Sequence, residues 1–188
     1  MHPVSTVPAR LVAVLIAAFV MMAGVARAQD AGEAGKTAHA QATALVEALK
    51  SGDADAIIAR TPKAVLDMAG GADNMKSQLK ALKDQMAANG MTIAEVKVEP
   101  PAKVTPVEGK ADVLFTILTT STKLSTKDLD VDSPSYLLGR SEDGGKNWMF
   151  VDGAGIADKA TAKTFFPDLP DAVELPARQQ PKVTPKAK

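Results

Sequence analysis

The chain contains no cysteine, which excludes a disulfide scaffold, a thiol nucleophile and a lipid-modified N-terminal cysteine. Aromatic residues make up only 4%, so the core has to rest on aliphatic side chains and methionine. There are two histidines, His2 and His39, too few for a zinc site built on several imidazoles. Neither sign of charge is in excess. The 188 residues carry 22 basic and 22 acidic side chains, which gives no electrostatic reason to bind nucleic acid or an anionic membrane. Two further signatures are missing. No G-x-S-x-G elbow is found, and Gly70-Gly71 and Gly144-Gly145 lack the lysine and spacing of a phosphate loop.

What is there begins with a leader. His2 and Arg10 precede an uninterrupted apolar run, Leu11 to Val25, followed by Ala26-Arg27-Ala28. Small residues at positions 26 and 28 match the A-x-A pattern that signal peptidase accepts. The run is shorter than the ~20 residues needed to span a bilayer as a stable helix. A signal peptide over residues 1–28, cut after Ala28, is therefore expected, with no stable membrane span afterwards. Without residues 1–28 two arginines go and no acids do, so 22 of each sign become 20 basic and 22 acidic. No twin-arginine pair is present, which points to export of the unfolded chain into a periplasm or beyond, and not as a lipoprotein.

The mature chain reads as a lead-in over 29–35, one domain over 36–152, an extended segment over 153–177 and a basic disordered tail over 178–188. Ala38, Ala42, Leu45, Val46 and Leu49 share a helical face that Ser51-Gly52 ends. Asp53 caps a short second helix carrying Ile57 and Ile58, stopped by Thr61-Pro62. Residues 63–69 fit a helical turn or a short strand. Asp73 is the expected cap of a third helix, on which Met75, Leu79, Leu82 and Met86 recur.

After Gly90 the period changes to two. Ala94, Val96 and Val98 alternate with charged residues, and residues 104–107 and 111–120 follow as strands, the latter central. Residues 124–134 read as a charged connection, and 136–140 and 148–151 as a hairpin turning at Asp143-Gly144-Gly145. Beyond Asp152, Phe165, Phe166, Leu169 and Leu175 stand among prolines, as in an extended segment anchored by apolar side chains.

Helices followed by an antiparallel meander imply an α+β domain with N-terminal helices packed on a curved sheet. That order, with Pro62, the Gly70-Gly71 pair opening the third helix and the hairpin over 136–153, resembles the nuclear transport factor 2-like superfamily, with its cone-shaped, cystatin-like fold. The resemblance covers roughly residues 36–152, about the length of one ordinary domain. It implies a bent sheet around an apolar pocket, used by different members for catalysis, ligand binding or partner docking.

Four features are candidates for chemistry. Ser141-Glu142-Asp143-Gly144-Gly145-Lys146-Asn147-Trp148 resembles the Asp-box of sialidases, S-x-D-x-G-x-T-W, with Asn147 in the threonine place. In that motif an aspartate accepts backbone hydrogen bonds across a turn while a tryptophan packs beneath. One copy cannot make a propeller, so a well-built turn is the economical reading. Asp128, Asp130 and Asp132 alternate as in a calcium loop, but Ser133 and Gly139 stand where the glycine and bidentate glutamate belong, so a solvated acidic loop is expected. His39 is expected on a solvent face and inert. The pocket wall is assigned to Met68, Met75, Phe115, Tyr136 and Trp148, with Leu79 beside them, and Tyr136 is the one phenol that could orient a ligand. Plain core packing competes with that assignment for every one of these apolar side chains.

No cofactor is implied. The leading expectation is a non-catalytic binding or accessory module whose partner is a small apolar ligand or an envelope protein, with homodimerisation left open. An isomerase- or dehydratase-type enzyme using Tyr136 is the second reading. It requires an acid, and Asp67, Glu99 and Asp112 are the candidates. An envelope-interaction protein with residues 178–188 as its contact arm is the third.

Overall fold

The structure, a computed structural model, describes residues 32–186. The leader and Ala28 lie outside the described residues. Among those described, no helix is long and apolar enough to cross a membrane.

Helix α1 occupies residues 32–51. Ala34, Ala38, Ala42, Leu45 and Val46 form its buried stripe, at the three- and four-residue spacing the sequence shows. The helix takes in part of the stretch read as a flexible lead-in. Ala34 is small because Gly145 is pressed against it, and Gly35 is buried beside Val104 and Pro101. Gly52 closes α1 in the left-handed region, its N–H donating to the Ala48 carbonyl at 2.8 Å. Asp53 then caps α2 (Ala54–Ile58) by accepting from the Ala56 N–H at 3.1 Å.

The ambiguous stretch after Pro62 is helix α3 (Lys63–Met68). Gly70 and Gly71, both at positive φ, turn the chain into α4 (Ala72–Ala88), whose N-cap is Gly71, so Asp73 falls in the first turn. No residue of α4 is buried. It rests on α2 and α3, with Leu79 half-buried against the core and Lys76 paired to Asp55 at 2.7 Å. The helix that lies on the sheet is α1. An amphipathic pattern fixes which face a helix buries, but not which neighbour it meets.

Six strands follow: β1 (Thr92–Val98), β2 (Val104–Val107), β3 (Lys110–Ser125), β4 (Leu129–Ser141), β5 (Met149–Asp152) and β6 (Lys182–Pro185). They form one antiparallel sheet with β3 and β4 as its spine. β1 and β2 share the outer edge of β3, and β5 and β6 share that of β4. The α+β class and the single domain are as expected. Residues 124–134, read as a connection, instead continue the β3–β4 hairpin, with Leu124 opposite Val131 and Ser121 opposite Pro134. Charge on both strands hid the pairing, because this end of the hairpin has little core to face.

Leu118 lies opposite Leu137 and Ile117 opposite Leu138, so neighbouring pairs point to opposite faces. Leu118, Leu137, Trp148 and Phe150 pack under α1. Phe115, Tyr136, Leu138 and Val151 face the other way, under Ile156, Ala162, Phe166, Leu169 and Val173. That second cover contains a 3-10 turn (Gly153–Gly155) and a short helix α5 (Lys159–Phe165) capped by Asp158, where the sequence suggested only extended chain. Gly139 lets the Phe150 ring cross β4: a Cβ there would come within 2.9 Å of it.

The tail also differs from expectation. Residues 178–188 read as disordered, yet Lys182–Pro185 pair with Leu129–Asp132. All four are exposed, so hydrogen bonds and charge, not burial, hold them. A composition test for disorder registers only the missing burial.

Candidate functional site

Strand β4 leaves a gap on its outer edge. β6 covers Leu129–Asp132 and β5 covers Leu137–Arg140, so residues 133–136 have no strand partner on that side. A cleft of about 920 Å³ opens there, bounded by Ser133, Tyr136, Ile156, Val173, Leu175 and Arg178. The floor is largely apolar, and the rim is formed by a stretch of β4 that has no strand partner on this side.

Tyr136 lies in that floor, 6% exposed, with its ring against Gly153, where any side chain would collide with it. No buried side-chain polar atom among the described residues lacks a partner. Tyr136 lines the cleft, and no described residue hydrogen-bonds to its hydroxyl. Burial, and then the nearby Asp152 carboxylate, push the phenol above its ordinary pKa, so it stays protonated and can donate. Asp152 itself accepts from Ser135 Oγ and the Ala154 N–H, both at 2.8 Å. Arg178 donates to the Ala154 carbonyl and adds positive charge at the rim.

The five residues assigned to a pocket wall do not converge on this cleft. Phe115 and Tyr136 share one face of the sheet, while Trp148 is buried on the other, under α1. Met68 is 73% exposed, and Met75 sits half-buried on the outer helix α4. Strand parity separates Phe115 and Tyr136 from Trp148. The pairing register is what settles it, and it cannot be read before the bulges and turns are known. None of the candidate acids lines the cleft: Asp67 pairs with Lys63 at 2.6 Å, Asp112 borders a second cleft beside α1, and Glu99 is exposed beyond β1, one strand away across Thr119, to whose carbonyl its N–H donates at 2.9 Å.

The Asp-box-like turn has the geometry its residues suggest. Asp143 Oδ1 accepts from the backbone N–H of Lys146 at 3.1 Å and of Asn147 at 2.9 Å, and Oδ2 accepts from the Asn147 amide at 2.7 Å. Ser141 Oγ donates to Asp143 and accepts from the Gly145 N–H, both at 2.9 Å. Trp148 is fully buried, its indole N–H donating to the Gly145 carbonyl at 2.9 Å. The Asn147 backbone N–H, then its side chain, hold the Asp143 carboxyl down at about 2. Gly145 faces Ala34 of α1 at a distance that admits no side chain, so the turn seats the helix on the sheet.

His39 is not on a free face. Its Nε2 lies 3.0 Å from the Val98 carbonyl, which makes it the donor that ties α1 to β1. Asp130 belongs to β4 and is bonded by Ser125 Oγ at 2.8 Å and Lys186 at 3.3 Å. Among the described residues no group of three or more His, Asp or Glu side chains converges as a metal site would.

Arg140, not singled out in the sequence, is the half-buried charge of the second face. It lies about 6 Å over both the Phe115 and Phe166 rings and donates to Asp168 at 2.7 and 3.0 Å. Burial alone raises the Asp168 carboxyl, but hydrogen bonding and charge from Arg140 outweigh it and the net shift is downward. The pair clamps the second cover to β4. An arginine among apolar strand residues, inward by parity, is the signal that could have located it.

No family model matches the chain, and no curated protein and no solved structure matches it either.

Proposed function

We propose that the protein is an exported, non-catalytic binding module of the nuclear transport factor 2-like kind, taking a small, largely apolar ligand in the cleft at Tyr136. The helix-then-meander order, with the Gly70-Gly71 turn at the entry to α4, supports the family reading. The leader supports export. The observation that carries the binding reading is the cleft itself, lined by Tyr136 and apolar side chains where β4 has no strand partner, with no described residue bonded to the phenol. An apolar body would displace water from Ile156, Val173 and Leu175, and one polar group would meet the phenol.

The enzymatic alternative has less support. None of its three candidate acids lines the cleft, although Glu99 donates its N–H to Thr119, the cross-strand neighbour of Tyr136, at 2.9 Å, and the nearby Asp152 is already bonded by Ser135 and Ala154.

The test pairs native mass spectrometry of protein taken from its host with a thermal-shift screen of small apolar alcohols, acids and ketones. A retained mass or a stabilising hit that Tyr136→Phe weakens about 3- to 10-fold, the worth of one hydrogen bond, supports the reading. Bare apoprotein and hits indifferent to Tyr136→Phe would remove it.

A further inference from the structure

We infer that the outer edge of β4 at Leu129–Asp132 is a strand-addition site for a basic extended segment of a protein partner, and that the chain's own β6 is its tethered occupant. The cleft at Tyr136 is not needed for this.

Chemistry at the edge is matched on both sides. Asp130 and Asp132 alternate along β4, opposite Thr184 and Lys182 of β6, and cross-strand partners share a face. The ladder extends one step further, where the Lys186 N–H donates to the Asp128 carbonyl at 2.9 Å. Lys186 Nζ then donates to Ser125 Oγ at 2.6 Å and the Thr126 carbonyl at 2.7 Å, and lies 3.3 Å from Asp130. The site thus holds Lys186 by direct contact and sets Lys182, four residues away on the same face, opposite Asp132.

Its occupant is poorly fastened. Every residue of β6 is exposed, including Val183 at 56%, so almost no apolar surface is buried by docking. Exposed ion pairs add little and are screened by salt. The last buried anchor before β6 is Val173, and residues 176–181 between them are all exposed. A strand held only by edge hydrogen bonds and surface charge opens at the low end of the local stability range. An edge so exposed is a ready template for another strand of the same chemistry.

Hydrogen-bonded pairs alternate along an antiparallel ladder, so with Lys186 bonded to Asp128, Thr184 is bonded to Asp130 and Pro185 stands where no N–H is required. Thr184→Pro with Lys186→Glu, in the full-length mature chain, therefore disengages β6. The probe is a fluorescent peptide of residues 178–186, followed by anisotropy. The disengaged variant should bind it at least about tenfold more tightly than the intact chain, whose edge is occupied. Binding should weaken with salt and be lost when Lys182 and Lys186 of the peptide are glutamate.

Three results would overturn the inference: no binding by a variant whose Trp148 fluorescence is native, equal binding by the intact chain, or equal binding of the charge-reversed peptide. Should the variant lose its fold, excess unlabelled peptide on the intact chain gives the same answer. It accelerates hydrogen exchange at Thr184 and Lys186 if it competes for the edge and leaves them unchanged if it does not.

Discussion

On one face of the sheet Ala34, Ala38 and Ala42 bring α1 close along its length, and Trp148, Phe150, Leu118 and Leu137 fill the space beneath. On the other face the cover is a 3-10 turn, a short helix and irregular chain, held by separate anchors at Ile156, Phe166, Leu169 and Val173 and by the Arg140–Asp168 clamp. A continuous helix transmits the loss of any one contact along its whole length. A cover of separate anchors can open piece by piece. The face under α1 carries the seating turn, and the other carries the cleft and the chain that leads to β6.

The largest test of this difference is Trp148→Ala set against Phe166→Ala. Both remove a buried ring. We expect Trp148→Ala to lower global stability by about 3–5 kcal/mol in urea unfolding followed by far-UV circular dichroism. Phe166→Ala should show a smaller global loss, with fast hydrogen exchange confined to residues 156–175. Equal global losses would show the two covers to be equally cooperative.

Arg140→Ala sharpens the comparison from the second face. It leaves the partly buried Asp168 with only Lys110, 3.4 Å away, as its partner, and should lower stability by about 1–2 kcal/mol, less than for a fully buried pair. Exchange should quicken around Asp168 and not in α1.

On the first face, Asp143→Ala removes the shared acceptor of two exposed backbone N–H groups, a loss of about 1 kcal/mol after solvent screening. The acid dependence has a definite sign. The folded carboxyl titrates at about 2, below its ordinary value, so its contribution is complete above about pH 4 and fades as pH falls towards 2. Stability measured over that window should fall less steeply in Asp143→Ala than in the parent chain. The smallest effect is expected at Leu82→Ser on α4, 54% exposed and outside both covers, within about 0.5 kcal/mol.

Local order was legible where short-range rules govern it. The stripe of α1, the Asp53 cap, the glycine pair before α4 and the Asp143 turn are all set by residues within a few positions of one another. Long-range partnership was not. Nothing local tells α1 from α4 as the helix on the sheet, or puts Trp148 and Tyr136 on opposite faces, because those depend on register across strands far apart in the chain. The candidate site was legible in one residue, Tyr136. Its cleft comes from β5 and β6 stopping short of each other on β4, and the second of these was hidden in a stretch that composition marks as disordered.

Residues 176–181 serve two masters, since they line the cleft on one side and lead into β6 on the other. Thermodynamic reciprocity makes that sharing measurable. A molecule that fills the cleft only while this wall stands must fasten β6 by the same factor. A peptide that peels β6 away must loosen the cleft's guest in equal proportion, and titrating each in the presence of the other reads that factor twice.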